Sequence, residues 1–274
     1  MKELVRRLCR AAAVLFALTL LGACTYSPMY HELLRGGPDL VTEEFMVPAA
    51  DPGIQLYVRN KRLQSLATFT PDNIVLFVHG ATYPAETAFD LRLEGTSWMD
   101  YIARRGYDVY LVDVRGYGKS TRPPEMDQPA ANNRPIVTTE VAVRDYGAAV
   151  DFILKRRGLN KLMVLGWSWG TAIMASYTSG NNHKVNRLVM YAPLWPAGKR
   201  LYNPADIRVP TLLIVAERDA DTPATMAQTL FPLLVNAEPK RLVIIGEGTH
   251  SVLMEKNRMQ LFREVQLFMD EARR

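Results

Sequence analysis

Only two cysteines, Cys9 and Cys24, occur in the 274 residues. That excludes a disulfide-stapled fold and the cysteine-paired zinc sites. Histidine is nearly as scarce, with four in the chain: His31, His79, His183 and His250. No H-E-x-x-H pattern sets two of them on one helix face, so neither a metal nor any other cofactor is expected. Charge of one sign is also lacking. The formal net charge is +5, and no basic stripe with interleaved aromatics appears, which argues against a nucleic-acid partner. The apolar run Ala11–Leu21 falls short of the roughly 20 residues a membrane-spanning helix needs. No internal repeat or low-complexity tract breaks the chain.

What is present is a regular alternation. Strand-like apolar runs fall near 43–48, 54–60, 74–79, 108–113, 161–166, 187–192, 211–216 and 241–246. The turn Ala49-Ala50-Asp51-Pro52-Gly53 predicts an antiparallel hairpin between the first two. From 74 onward the strands alternate with helical stretches near 96–105, 138–157, 169–179, 224–236 and 254–273. Apolar central strands alternating with helices predict one α/β domain over 43–274, with a mainly parallel sheet of about eight strands covered on both faces.

The pentapeptide Gly166-Trp167-Ser168-Trp169-Gly170 sits between the strand Lys161–Gly166 and the helical stretch from Thr171. A strand, a G-x-S-x-G turn and a helix form a nucleophile elbow, which lifts the serine hydroxyl above the sheet edge. A hydroxyl is a poor nucleophile until a base takes its proton. Among the histidines, His250 follows the apolar run Arg241–Ile245 and the loop Gly246–Thr249. It therefore lies past the carboxyl end of a strand, where open α/β sheets keep their sites. His31 and His183 fall in polar stretches, and His79 ends a strand upstream of the serine. The acid belongs in the turn Glu217–Pro223 after another apolar strand, where Asp219, Asp221 and Glu217 are the candidates.

The chain resembles the α/β-hydrolase-fold serine hydrolases, esterase- or lipase-like. The resemblance covers most of 43–272. It rests on Val78-His79-Gly80, on Asp113-Val114-Arg115-Gly116-Tyr117-Gly118-Lys119-Ser120, and on the elbow, the acid turn and the histidine loop. It implies an α/β-hydrolase fold and a triad of Ser168, Asp219 and His250. It also implies an oxyanion hole built from the backbone N–H groups of Trp169 and Ala81, with Thr82 as the other choice near Gly80. His79 and Asp113 are expected to brace loops. About twenty residues, Ala192–Pro210, separate two strands where many relatives carry a cap, so no large cap is expected. Tyr83, Trp167, Leu194 and Trp195 are the candidate substrate-wall residues, with 81–95 and the Pro-rich 121–137 as the roof. The implied substrate is a small acyl ester or thioester. The rival readings are perhydrolysis, acyl transfer or amide cleavage by the same triad, or a binding role without catalysis.

The first 23 residues read as a signal peptide: a basic start, an apolar run, then small residues. Leu21-Gly22-Ala23-Cys24 resembles a bacterial lipobox, which implies acylation of Cys24 and a tether over 24–42. The expected location is the cell envelope, and in a Gram-negative host the periplasmic face of the outer membrane. Lys2, Arg6, Arg7 and Arg10 against Glu3 carry +3 of the +5, which leaves +2 on the processed chain. The sequence sets no oligomeric state.

Overall fold

The computed structural model describes residues 39–273, apart from positions 197 and 199. Cys24 and the signal sequence lie outside the described residues. Strands β1 (Leu40–Pro48) and β2 (Gln55–Leu63) form the antiparallel hairpin that the turn at 49–53 predicts. Leu40, Val41 and Thr42 are thus paired in the sheet rather than part of a tether, because their partners Leu63, Arg62 and Lys61 extend β2 to meet them. Six more strands follow: β3 (Ile74–Val78), β4 (Asp108–Val112), β5 (Leu162–Trp167), β6 (Val185–Tyr191), β7 (Thr211–Ala216) and β8 (Lys240–Ile245). The sheet order is β1-β2-β4-β3-β5-β6-β7-β8, and every pairing from β4 to β8 is parallel.

Side chains along a strand point alternately to opposite faces, and both faces here are covered. Ile74, Leu76 and Val78 join one core with Val164, Leu213 and Val215. Their neighbours Val75 and Phe77 join a second core with Leu165, Leu212 and Ile214. This is why the central strands read as unbroken apolar runs. Burying each such side chain contributes about 1.5–3 kcal/mol.

The helices are α1 (Ala85–Phe89), α2 (Trp98–Ala103), α3 (Thr139–Arg157), α4 (Trp169–Asn181), α5 (Ala224–Leu230) and α6 (Arg258–Asp270). α3 and α4 pack on the first face through Tyr146, Ile153 and Ile173, while α2 and α6 cover the second through Trp98, Phe262 and Phe268. Thr138 caps α3 by accepting the Val141 N–H. Ser97 and Asp100 close a capping box on α2.

A buried charge cluster ties the hairpin to α1 and α2. Lys61 meets Asp90 at 2.5 Å and Asp100 at 2.7 Å, and Arg59 meets Asp90 at 2.7 Å. Burial alone would push the Asp100 carboxyl up, but the Lys61 ammonium holds it below the ordinary range. Among the described residues, the segment between β6 and β7 carries only a single 3-10 turn, Pro204–Asp206, and no cap domain. Among the described residues no helix is long and apolar enough to cross a membrane.

Candidate active site

Ser168 stands between β5 and α4 with φ +56° and ψ −120°. A non-glycine residue held there costs about 1–3 kcal/mol, so its surroundings must impose the conformation. They do so through the backbone. The Ser168 N–H donates to the Tyr191 carbonyl at 2.9 Å, and the Ser168 carbonyl accepts from Thr171 N at 2.9 Å and Thr171 Oγ1 at 2.6 Å. The flanking glycines allow the turn to close. A Cβ on Gly166 would stand 2.6 Å from the Gly170 oxygen, and one on Gly170 would stand 2.6 Å from the carbonyls of Val78 and His79.

His250 is brought to the same place from the loop after β8. Its Nδ1 lies 2.9 Å and 3.0 Å from the two carboxylate oxygens of Asp219, in the turn after β7. Asp219 also accepts from Asp221 N at 3.0 Å, Thr222 N at 2.8 Å and Thr222 Oγ1 at 2.9 Å. Burial alone would raise the Asp219 carboxyl, yet the His250 and Thr222 hydrogen bonds hold it below the ordinary carboxylate range. An ionised acceptor facing Nδ1 places the ring proton there, which leaves Nε2 as the basic nitrogen. Of the three carboxylates that sequence leaves open, only Asp219 is buried and bonded to the imidazole. Asp221 is exposed, and Glu217 accepts from the Glu247 N–H.

Ser168 and His250 line one cavity of about 190 Å³, together with Gly80, Ala81, Thr82, Tyr83, Trp167, Asp221 and Ser251. Ala81, on the loop after β3, therefore faces the serine, and Trp169 supplies the first N–H of α4 directly after it. Tyr83 and Trp167 hold their rings nearly parallel, 5.9 Å apart, along one wall. Leu194 and Trp195 do not line this cavity. The Leu194 N–H is spent on Thr171 Oγ1, and the Trp195 ring packs 5.3 Å from Tyr202 against the first core. The roof segment 81–95 includes α1, a helix too short to leave a periodic signal.

A larger cavity of about 740 Å³ opens beneath the Pro-rich segment, between Gly116, Tyr117, Met126 and Val137. It holds neither Ser168 nor a histidine. Tyr117 walls it from the smaller cavity by donating to the Ala81 carbonyl at 2.8 Å. The serine and the histidine that the sequence singles out therefore meet at the smaller one. Asp219, Asp221 and His250 bring ligand atoms within 4.8 Å of one another. The Asp219 oxygens are already spent on four protein donors, which makes a poor cation site.

His79 and Asp113 brace the loops around this edge. His79 is fully buried, with Nδ1 2.6 Å from the Gly80 carbonyl and Nε2 accepting from Val114 N at 3.2 Å. Asp113 accepts the Ala85 N–H at 2.7 Å and the Lys119 N–H at 3.3 Å, which fixes the start of α1 beside the Ala81 loop.

Comparison with known proteins finds the same fold. The family model described as the alpha/beta hydrolase fold matches residues 73–205. Among solved structures, a thermophilic esterase from Thermogutta terrifontis is 13% identical with a TM-score of 0.64, covering 84% of this chain and 98% of its own. A meta-cleavage product hydrolase from Pseudomonas fluorescens is 15% identical with a TM-score of 0.61, covering 83% and 98%. A membrane phospholipase A described as a bacterial virulence factor is 16% identical with a TM-score of 0.60, covering 100% and 99%. The chain has the α/β-hydrolase fold.

Proposed function

We propose that the protein is a serine hydrolase that cleaves carboxylic ester or thioester bonds through an acyl-enzyme. The observation that carries this reading is the meeting, in one cavity, of a serine in a strained elbow and an imidazole whose Nδ1 is held by a buried aspartate. The Ser168 oxygen attacks the acyl carbon while its proton passes to His250 Nε2. Asp219 stabilises the imidazolium that forms. The N–H groups of Trp169 and Ala81 receive the oxygen as it gains negative charge. The tetrahedral adduct collapses, the bond to the leaving group breaks, and that group departs with the proton from Nε2. Water then gives its proton to the same nitrogen and its oxygen to the acyl carbon; the bond to Ser168 Oγ breaks, the serine takes that proton back, and the carboxylic acid leaves. A cavity of about 190 Å³ edged by Tyr83 and Trp167 suits a modest acyl group. The esterase among the structures of the same fold is in keeping with this chemistry.

The experiment is labelling by a fluorophosphonate, followed by turnover of p-nitrophenyl esters of increasing chain length. Labelling and hydrolysis are expected in the parent and absent in Ser168→Ala. An unlabelled, well-folded parent would replace the reading with a binding role.

The same reading places the protein on the cell envelope through lipid on Cys24, supported by the Leu21–Cys24 motif alone. Cells fed labelled palmitate are expected to label the parent and not Cys24→Ser. Equal labelling of both would exclude that cysteine as the anchor.

A further inference from the structure

The catalytic serine and its base come from opposite ends of one half of the sheet. Ser168 follows β5 and His250 follows β8, with β6 and β7 between them. Neighbouring strands lie about 4.8 Å apart, so the histidine loop must reach back across a span of about 14 Å. Loops are the mobile part of a fold, and a misplacement of about 1 Å in a reacting group can cost about 10²-fold in rate. Asp219 fixes the imidazole at Nδ1, but a ring held at one atom can still swing with its backbone.

The backbone is fixed as well. The His250 carbonyl accepts the Tyr191 hydroxyl at 2.6 Å and the Trp167 Nε1–H at 3.1 Å, so both of its lone pairs are used. Tyr191 is the last residue of β6 and Trp167 the last of β5. Both side chains are buried, and their rings lie 8° from parallel with centroids 6.0 Å apart. The Tyr191 hydroxyl in turn accepts the Leu253 N–H at 3.4 Å, on the far side of the loop. The Trp167 ring also lies 5.4 Å from the imidazole itself. Each strand that the loop must cross therefore supplies one anchor: β7 through Asp219, β6 through Tyr191, β5 through Trp167.

We infer that Tyr191 and Trp167 are positioning residues that set the imidazole of His250 toward Ser168 by holding its main-chain carbonyl. This rests on the serine-hydrolase reading above, and it assigns Trp167 a task distinct from forming the cavity wall. Burial keeps the Tyr191 phenol protonated and hence a donor across the working range of such an enzyme.

The test is Tyr191→Phe, which keeps the ring and deletes one donor, and Trp167→Phe, which keeps an aromatic ring and deletes the other. With p-nitrophenyl acetate, Tyr191→Phe is expected to lower kcat about tenfold and the double variant about a hundredfold. KM of Tyr191→Phe should stay at the parental value, and its thermal midpoint should fall by only about 2–4 °C. Fluorophosphonate inactivation should slow by the same factor as kcat. In a His250→Ala background, Tyr191→Phe should bring no further loss, because it acts only through the histidine. An unchanged kcat in Tyr191→Phe, or an equal loss in the His250→Ala background, would overturn the assignment. A parent that fluorophosphonate does not label would instead fail the hydrolase reading, before any comparison of variants.

Discussion

Two histidines stand at the carboxyl edge of the same sheet, each near an aspartate, and they are built for opposite ends. His79 follows β3 and is wholly buried, with one ring nitrogen facing the Gly80 carbonyl and the other accepting from Val114. His250 follows β8, keeps a side chain 16% exposed, and has one nitrogen tied to Asp219. The residue lines the same cavity as Ser168. The nearby carboxylates differ too. Asp113 spends its oxygens on the backbone of Ala85 and Lys119, whereas Asp219 faces the ring. In the proposed mechanism a base keeps one nitrogen unspent beside the serine, and a brace spends both.

That contrast can be broken most severely at His250. His250→Ala is expected to lower kcat by roughly 10⁴- to 10⁶-fold, read from initial rates on an activated ester. A loss below tenfold would take away its role as base. Asp219→Asn leaves the geometry in place but presents a neutral amide to Nδ1. Its kcat should fall by about 10³- to 10⁴-fold, with unchanged far-ultraviolet circular dichroism as the check on folding. Thr222→Val removes one of four donors to Asp219 and the 3.3 Å contact to His250 Nδ1. A net hydrogen bond is worth about 1 kcal/mol, so kcat should drop about fivefold.

His79→Gln sharpens the contrast from the other side, since the amide can still donate and accept but cannot titrate. Activity at pH 8 should stay near parental. The sensitivity lies in stability. Burial holds the His79 ring below its ordinary value of 6.5, with the Gly80 carbonyl and Asp113 only partly offsetting it. Above that value the ring is neutral in folded and unfolded chains alike and contributes no slope. As pH falls below 6.5 the unfolded chain takes up a proton that the folded chain refuses, so stability declines until the folded value is reached. Urea midpoints at pH 7 and pH 5 should therefore move less in His79→Gln than in the parent. Equal movement in both proteins would mean that the slope comes from other groups.

The same two histidines mark what sequence can reveal. Val75 and Phe77 belong to one core and Leu76 and Val78 to the other. A strand buried on both faces is thus an unbroken apolar run, and the residue that ends it is easy to find. Sequence also separates His250 from His79 by chain order, because in the proposed triad the base follows the acid. It does not separate Asp219 from Asp221 by chemistry, since both sit in one polar turn. Only the fold shows that Thr222 and the imidazole converge on the first and leave the second in water. Leu194 and Trp195 read as wall residues for being apolar near the site, yet hydrogen bonding to Thr171 and packing on Tyr202 draw them elsewhere. α1 is invisible for the opposite reason: five residues after Pro84 give one turn and a half, too little for a periodic pattern. Tyr191 gave no signal at all, as the last residue of an apolar strand looks like more core.

The stack of Tyr83, Trp167 and Tyr191 also makes the molecule luminous at a useful place. Of its four tryptophans, Trp167 alone has its indole N–H bonded to the His250 carbonyl and its ring 5.4 Å from that imidazole. Protonated imidazole quenches indole emission on contact, and a neutral ring does so far less. Each proton that His250 takes up should therefore dim the light from Trp167, and each proton it gives away should restore it.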